Sequence, residues 1–312
     1  MTDTFQVQGD FAPAESFAAD ISVIDTVEST EAVTAEPNGF IELGLAPELV
    51  QAVADLGYTQ PTSVQLKAIP LAMGSGNDST SFIDLMVSSQ TGSGKTAAFL
   101  LPVLHTLIQQ QAAAEAEERA AFERAVAEAA ARGEPAPKRA KRKDPTNSRN
   151  FKAATPGALI LCPTRELAQQ VAHDAIDLVK HCRGLRVANV VGGMPYQLQI
   201  AKLQNANLVV ATPGRLLDLQ RSMQIKLDKV QFLVVDEADR MLDLGFSDDL
   251  AELNQLTAQR KQTMMFSATF APRIQQLAMR VMHDGGASVQ KVTIDSPQEK
   301  HANIKQMLYW AD

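Results

Sequence analysis

Two short strings carry the residue types that phosphate chemistry needs. The first, Ser89-Gln90-Thr91-Gly92-Ser93-Gly94-Lys95-Thr96, follows the apolar run Leu85 to Val87 and precedes a stretch of helical spacing, the context that a phosphate-binding loop requires. Its glycines let the backbone turn tightly, so that successive N–H groups point at phosphate oxygens, and the dipole of the following helix favours negative charge there. Lys95 is placed to reach the β- and γ-phosphates and Thr96 to bind Mg2+. Ser89 stands where the usual loop has Gly. The second string, Asp236-Glu237-Ala238-Asp239, closes the run Phe232-Leu233-Val234-Val235. A buried strand ending in two carboxylates brings charge to the carboxyl edge of a sheet, where open α/β sheets bind ligands. Asp236 there can hold Mg2+ through water, and Glu237 can orient or deprotonate an attacking water. Three acids in four residues also suit a helix start; beside the phosphate loop, the catalytic reading outweighs that one.

Such strings work only at the ends of strands, and the chain supplies the strands. From Phe40 onward, Pro47 to Leu56 and Ser63 to Met73 have helical spacing, the second after a Pro61-Thr62 start signal. Apolar runs then alternate with helical stretches: Leu85 to Val87, Leu159 to Leu161, Val187 to Val191, Leu208 to Ala211, Phe232 to Val235, Met264 to Phe266 and a weaker Val292 to Ile294. Runs apolar on both faces predict an α/β fold, a parallel sheet covered by helices on each side. One segment breaks the alternation. Gln109 to Arg132 is rich in Ala, Glu and Arg and stops at Gly133-Glu134-Pro135, which reads as a helix. With the basic run Lys138-Arg139-Ala140-Lys141-Arg142-Lys143 it forms an insertion over about 109–156, either a solvated surface feature or an auxiliary RNA-binding arm.

Composition narrows the class. At 312 residues and 45% hydrophobic content the chain is too apolar to be wholly disordered. Its longest apolar run, Ala97 to Leu104, is interrupted by Pro102 and falls short of the roughly 18 residues of a membrane span. The start MTDTFQVQGD lacks the basic and apolar regions of a secretory signal. Cys162 and Cys182 are too few for a disulfide framework or a metal cluster, and His105, His173 and His181 lack partners at ligand spacing. A cytoplasmic, monomeric protein without a membrane segment is the expectation. The net charge of -7 is misleading as a whole-chain figure. Residues 1–38 hold eight acids and no Lys or Arg, so the rest carries +1 and can still present a phosphate-binding surface. Those 38 residues read as a disordered tail.

The two strings belong to an ordered series that resembles the first RecA-like domain of DEAD-box RNA helicases. It begins with Gly57-Tyr58-Thr59-Gln60-Pro61-Thr62-Ser63-Val64-Gln65 and continues through the phosphate loop to Pro163-Thr164-Arg165-Glu166-Leu167-Ala168 and Gly192-Gly193. Thr212-Pro213-Gly214-Arg215, the Asp-Glu-Ala-Asp box and Ser267-Ala268-Thr269 complete it. Ser89 is within that family's habits at the loop's first position. The resemblance implies a RecA-like ATP-binding domain over 39–299, with 300–312 as the entry to a second such domain, and an ATP- and Mg2+-dependent RNA helicase. Gln65, with one amide donor and one acceptor, suits the N6/N7 edge of adenine, and the family adds an aromatic contact to the base, from Phe40 or Tyr58. Pro163, Thr164, Arg165, Gly193, Thr212, Pro213, Gly214 and Arg215 would hold the sugar-phosphate backbone of RNA without reading bases. Thr164 and Thr212 also suit plain helix caps. Asp239 would hydrogen-bond Ser267 and Thr269 and link nucleotide state to domain closure. No arginine-rich motif follows in the 312 residues, so they read as a fragment that hydrolyses ATP very slowly by itself. A DNA-directed P-loop translocase and a non-catalytic ATP-dependent RNA clamp are the rival readings.

Overall fold

The computed structural model describes residues 38–74, 82–138 and 152–294. The strands are β1 Leu85–Ser88, β2 Ala158–Leu161, β3 Val187–Val190, β4 Leu208–Ala211, β5 Phe232–Val235, β6 Gln262–Ser267 and β7 Gln290–Thr293. Among the described residues they form one sheet in the order β3-β4-β2-β5-β6-β1-β7, every pair parallel. All carboxyl ends therefore lie along one edge. Each expected apolar run is a strand. β6 reaches further in both directions than its apolar centre, and β7 sits two residues earlier than Val292 to Ile294. β7 pairs on one side only, with β1, and just Val292 of its four residues is buried, which is why its apolar signal is weak.

Because successive strand residues face opposite sides, the sheet feeds two cores. Leu85, Val87, Ala158, Ile160, Leu208, Val210, Phe232, Val234, Met264 and Phe266 point to one. There they meet the helices α1 Pro47–Asp55, α2 Ser63–Met73, α3 Lys95–Ala131 and α4 Arg165–Leu178. Met86, Leu159, Leu161, Val209, Ala211, Leu233, Val235 and Met265 point to the other. That side is covered by α5 Tyr196–Leu203, α6 Pro213–Arg221, α7 Ala238–Asp243, α8 Ser247–Leu256 and α9 Pro272–Val281. No helix among the described residues is long and apolar enough to cross a membrane.

Two boundaries differ from the sequence reading. The Ala/Glu-rich helix is no separate element: it continues the helix of the phosphate loop, and α3 runs 37 residues, about 55 Å. Its first part, Ala98 to Leu107, is buried, and beyond it only Ala129 is. Ala, Glu and Arg propagate a helix once the buried turns have nucleated it. Pro102 lies within it without ending it; Arg132 caps it and Gly133 follows at φ +70°. Asn38, placed in the tail by the sequence reading, is fixed by its side chain. Its side chain accepts from Phe40 N–H at 3.0 Å and donates to Tyr58 O at 3.2 Å. The rest of that tail, Arg139 to Lys143 of the basic run, and residues 300–312 lie outside the described residues.

Candidate active site

The phosphate loop leaves β1 pinned to its neighbour. Ser89 N–H donates to Ser267 O at 3.1 Å, and Ser88 Oγ donates to Ala268 O at 3.2 Å, so the loop after β1 is tied to the Ser-Ala-Thr turn after β6. Gly92 and Gly94 take φ +80° and +83°, a region that a Cβ disfavours. Gly94 precedes α3 with no side-chain cap, so the first N–H groups of a long helix are left to a ligand.

Gln65, expected to meet adenine, sits where α2 adjoins the phosphate loop. Thr62 and Gln65 form a capping box at the start of α2. Gln65 Oε1 accepts from Thr62 N–H at 2.9 Å, and its Nε2 donates to Gly94 O at 3.0 Å. Both ends of the amide are thus engaged by backbone, fastening α2 to the phosphate loop. Gly94 is required here for a second reason: a Cβ on it would lie 2.6 Å from Gln65 Nε2 and 2.9 Å from Thr62 Oγ1. Phe40 and Tyr58 both border the cavity at this point, but Phe40 is 2% exposed and Tyr58 59%. The cavity holds about 440 Å³. It runs from Thr91 to Thr96 and Glu237 past Gln65 to Val53, Leu56 and the α4 residues Asp174 and Asp177.

The acidic box lies across the loop. Lys95 Nζ is 3.0 Å from Asp236 Oδ1 and 3.5 Å from Glu237 Oε1. Asp236 is fully buried, and its Oδ1 also accepts from Glu237 N–H at 2.9 Å. Its Oδ2 has no partner. Glu237 carries the chain from β5 into α7 at φ +48°, ψ +54°, a left-handed conformation that a non-glycine residue adopts at a cost. Burial raises the Asp236 carboxyl above the usual carboxylate range, against the pull of Lys95. Burial also works against the Lys95 ammonium, yet Asp236 and then Glu237 outweigh it, and the lysine is held more firmly charged than usual. Four buried polar atoms here lack hydrogen bonds: Ser89 Oγ, Ser93 Oγ, Asp236 Oδ2 and Ser267 Oγ. Buried polar groups are rarely left so, and this set of hydroxyls and one carboxylate oxygen fits a phosphate-bound divalent cation, with Thr96 and Asp236 as the residues to hold it. Ser267 Oγ is enclosed at the end of β6 without a partner, so the bond to Asp239 expected for it is not made; Asp239 sits in the first turn of α7 and is only half-buried.

The other half of the sheet edge gathers the remaining strings. β3, β4 and β2 are neighbours, so the loops that follow them converge. Thr164 Oγ1 caps α4 through Leu167 N–H at 3.3 Å, whereas Thr212 starts α6 without side-chain capping and with Pro213 next. Arg165 lies against the loop after β3: a Cβ on Gly193, which sits at φ +78°, would be 2.7 Å from its Nη1. Arg215 donates to Met194 O at 3.2 Å and stacks on Tyr196, 5.4 Å from the ring centre. Buried Gln199 fixes the same loop, donating to Val191 O at 2.7 Å and to Met194 O at 3.3 Å.

Sequence reasoning missed Gln199, Asp174, Asp177 and Arg240. The first three are polar residues on helices, which read as solvated until packing is known. Arg240 had a signal, its i+3 spacing from Glu237, which its Nη1 meets at 3.7 Å. Cys162, at the end of β2, is a buried thiol as expected, pushed well above its ordinary range by burial first and by Asp236 and Glu237 next.

A glycine loop between the strand and helix of a parallel α/β sheet, faced by a buried acidic box, defines a P-loop protein of RecA-like fold. Residues 62–277 match the model of the DEAD/DEAH box helicase family, and the chain belongs to that family. It is 36% identical over 298 residues to the DEAD-box ATP-dependent RNA helicase 52A of Oryza sativa subsp. japonica, covering 90% of this chain and 44% of that protein. It is also 36% identical over 271 residues to the RNA helicase CrhR of Synechocystis sp., covering 86% of this chain and 44% of the relative. The fold is similar to the crystal structure of a DEAD box protein from the hyperthermophile Methanococcus jannaschii. There the TM-score is 0.60 at 29% identity, over 86% of this chain and 58% of the other. The chain thus spans less than half the length of those curated relatives.

Proposed function

We infer that the chain is the first RecA-like half of an ATP-dependent RNA helicase, in which ATP and single-stranded RNA each bind along one half of the sheet edge and a second such domain closes over both. The observation that carries this reading is the Lys95 ammonium held between Asp236 and Glu237 at 3.0 and 3.5 Å, facing a glycine loop and an uncapped helix start. A triphosphate supplies the negative charge that this cradle is built to receive. The main-chain amides of Gln90 to Thr96 grip its oxygens, Lys95 moves onto the β- and γ-phosphates, and Ser89 and Ser93 offer unpaired hydroxyls. Adenine lies toward Gln65, Phe40 and Tyr58, where the cavity is apolar. Thr96 and Asp236 would hold Mg2+, which would supply charge neutralisation on the phosphates. Glu237 orients the attacking water and accepts its proton as the oxygen bonds to the γ-phosphorus and the bond to the β-phosphate oxygen breaks.

Pro163, Thr164, Arg165, Gly193, Thr212, Pro213, Gly214 and Arg215 form the RNA side, and their chemistry is that of sugar-phosphate contact. Asp239, Ser267 and Thr269 serve coupling, the unpartnered Ser267 hydroxyl being the group free to change partner. A cytoplasmic setting accords with these ligands.

The test is titration of the chain with a fluorescent ATP analogue and Mg2+. Lys95→Ala is expected to abolish binding, while Glu237→Gln keeps it. In the two-domain protein, Glu237→Gln should remove RNA-stimulated hydrolysis. Equal binding by the Lys95→Ala variant, or stimulation by DNA but not RNA, would sink the reading.

A further inference from the structure

The Glu237 carboxylate meets a cation at each oxygen. Lys95 Nζ lies 3.5 Å from Oε1, and Arg240 Nη1 lies 3.7 Å from Oε2. The triphosphate described above gives Lys95 another anion to bind. Arg240 has an alternative anion too, and it comes from the RNA side. β2 and β5 are adjacent, with Leu161 in register with Val235, so the loops carrying residues 162–166 and 236–240 leave the sheet side by side. Glu166 opens α4 there, and its Oε1 accepts from Arg165 Nη2 at 3.3 Å. Its carboxyl is held below the usual range. Its own backbone N–H acts first, then, against desolvation, Arg165 and the charge of Arg240. Two Arg–Glu pairs, Arg165–Glu166 and Arg240–Glu237, thus follow adjacent strands on either side of the boundary between the two halves of the sheet edge, and the charge of Arg240 is felt at Glu166.

We propose that Glu166 is a positioning residue that carries RNA occupancy to Glu237 through Arg240. An RNA phosphate that engages Arg165 draws it from Glu166. Glu166 then holds Arg240, and Glu237 loses its second cation. With Lys95 taken by the triphosphate, Glu237 is released to orient water only when both ligands are bound. Arg165 is 52% and Glu166 73% exposed at the side chain, so the exchange is worth what exposed ion pairs are worth, about two- to fivefold. It tunes the RNA dependence of hydrolysis and leaves the larger part to domain closure.

This inference rests on the helicase reading, and the experiment separates the two. The two-domain protein is assayed for ATP hydrolysis with and without saturating single-stranded homopolymer RNA. Glu166→Gln should lower the RNA-stimulated kcat about two- to fivefold, tighten RNA binding by no more than a similar factor because Arg165 loses its competing carboxylate, and leave the RNA-independent rate and the KM for ATP unchanged. Arg240→Gln should raise the RNA-independent rate by a similar factor, adding Glu166→Gln should change nothing further, and Arg240→Lys should restore RNA dependence. Unaltered stimulation in Glu166→Gln, or effects that multiply in the double variant, overturn the relay alone. Absence of RNA stimulation in the unaltered protein overturns the helicase reading and the relay with it.

Discussion

Single residues in this site are constrained from two directions at once. Gly94 must take φ +83° and must also leave room for Gln65 and Thr62. Gly94→Ala is therefore expected to lower stability by about 1–3 kcal/mol and to weaken nucleotide binding, as read by thermal melting and by titration with a fluorescent ATP analogue. Unchanged melting would show that the close approach of α2 is not part of the resting loop. The cysteines make a contrasting case, because neither belongs to the chemistry. Burial pushes the Cys162 thiol well above its ordinary range, and burial with the charge of Glu48 pushes Cys182 up to about 11. Thiolate is the reactive form. Iodoacetamide at pH 8 should leave Cys162 unmodified and Cys182 nearly so in the folded protein, and should label both after denaturation; mass spectrometry reads the difference.

At the scale of elements, α3 joins two parts of the fold: its N-terminus opens on the glycine loop and its buried turns anchor α1. The anchor is His105, whose Nδ1 accepts the N–H of Ala46, just ahead of α1, at 2.9 Å. That bond needs the ring neutral at Nδ1, and burial lowers its pKa from 6.5. The sign follows. A histidine whose folded pKa lies below its unfolded value binds its proton first in the unfolded chain, so its stabilising effect is complete above the unfolded value and is lost as pH falls through the folded one. Melting temperature should decline on acidification from pH 7 to pH 5, and His105→Gln, which keeps an acceptor but does not titrate there, should flatten that decline. A slope identical in the variant would assign the acid sensitivity elsewhere.

At the scale of the whole molecule, strand order divides the labour. The loops after β1, β5 and β6 come together around the phosphate cradle, and those after β2, β3 and β4 form the surface with Arg165 and Arg215. If that surface holds sugar-phosphate, its contribution is electrostatic and independent of base sequence. Arg215→Ala in the two-domain protein should weaken binding to different single-stranded RNAs by a similar factor and reduce the slope of log affinity against log salt by about 1. Loss confined to one sequence would mean base recognition instead. Fluorescence anisotropy across a salt series measures both.

Much of this protein was readable along the chain, because the features concerned are local. Hydrophobic alternation placed all seven strands near their observed bounds, and the glycine loop and acidic box stand at the strand ends where the sequence put them, with Lys95 beside Asp236 and Glu237. Other features waited for the fold. Gln65 has the right amide for a base, but that the same amide also ties Thr62 to Gly94 depends on how α2 packs. The Ala/Glu-rich segment is the outer part of α3 because the buried turns before it run on without a break. Gln199, Arg240 and the partnerless Ser267 hydroxyl took their meaning from how side chains settle around the loop and helix ends, Gln199 on Val191 and Met194 and Arg240 on Glu237. Periodicity and turn chemistry are set by residues within one or two turns of each other, whereas strand order and side-chain partners come from close packing among segments the chain itself keeps far apart.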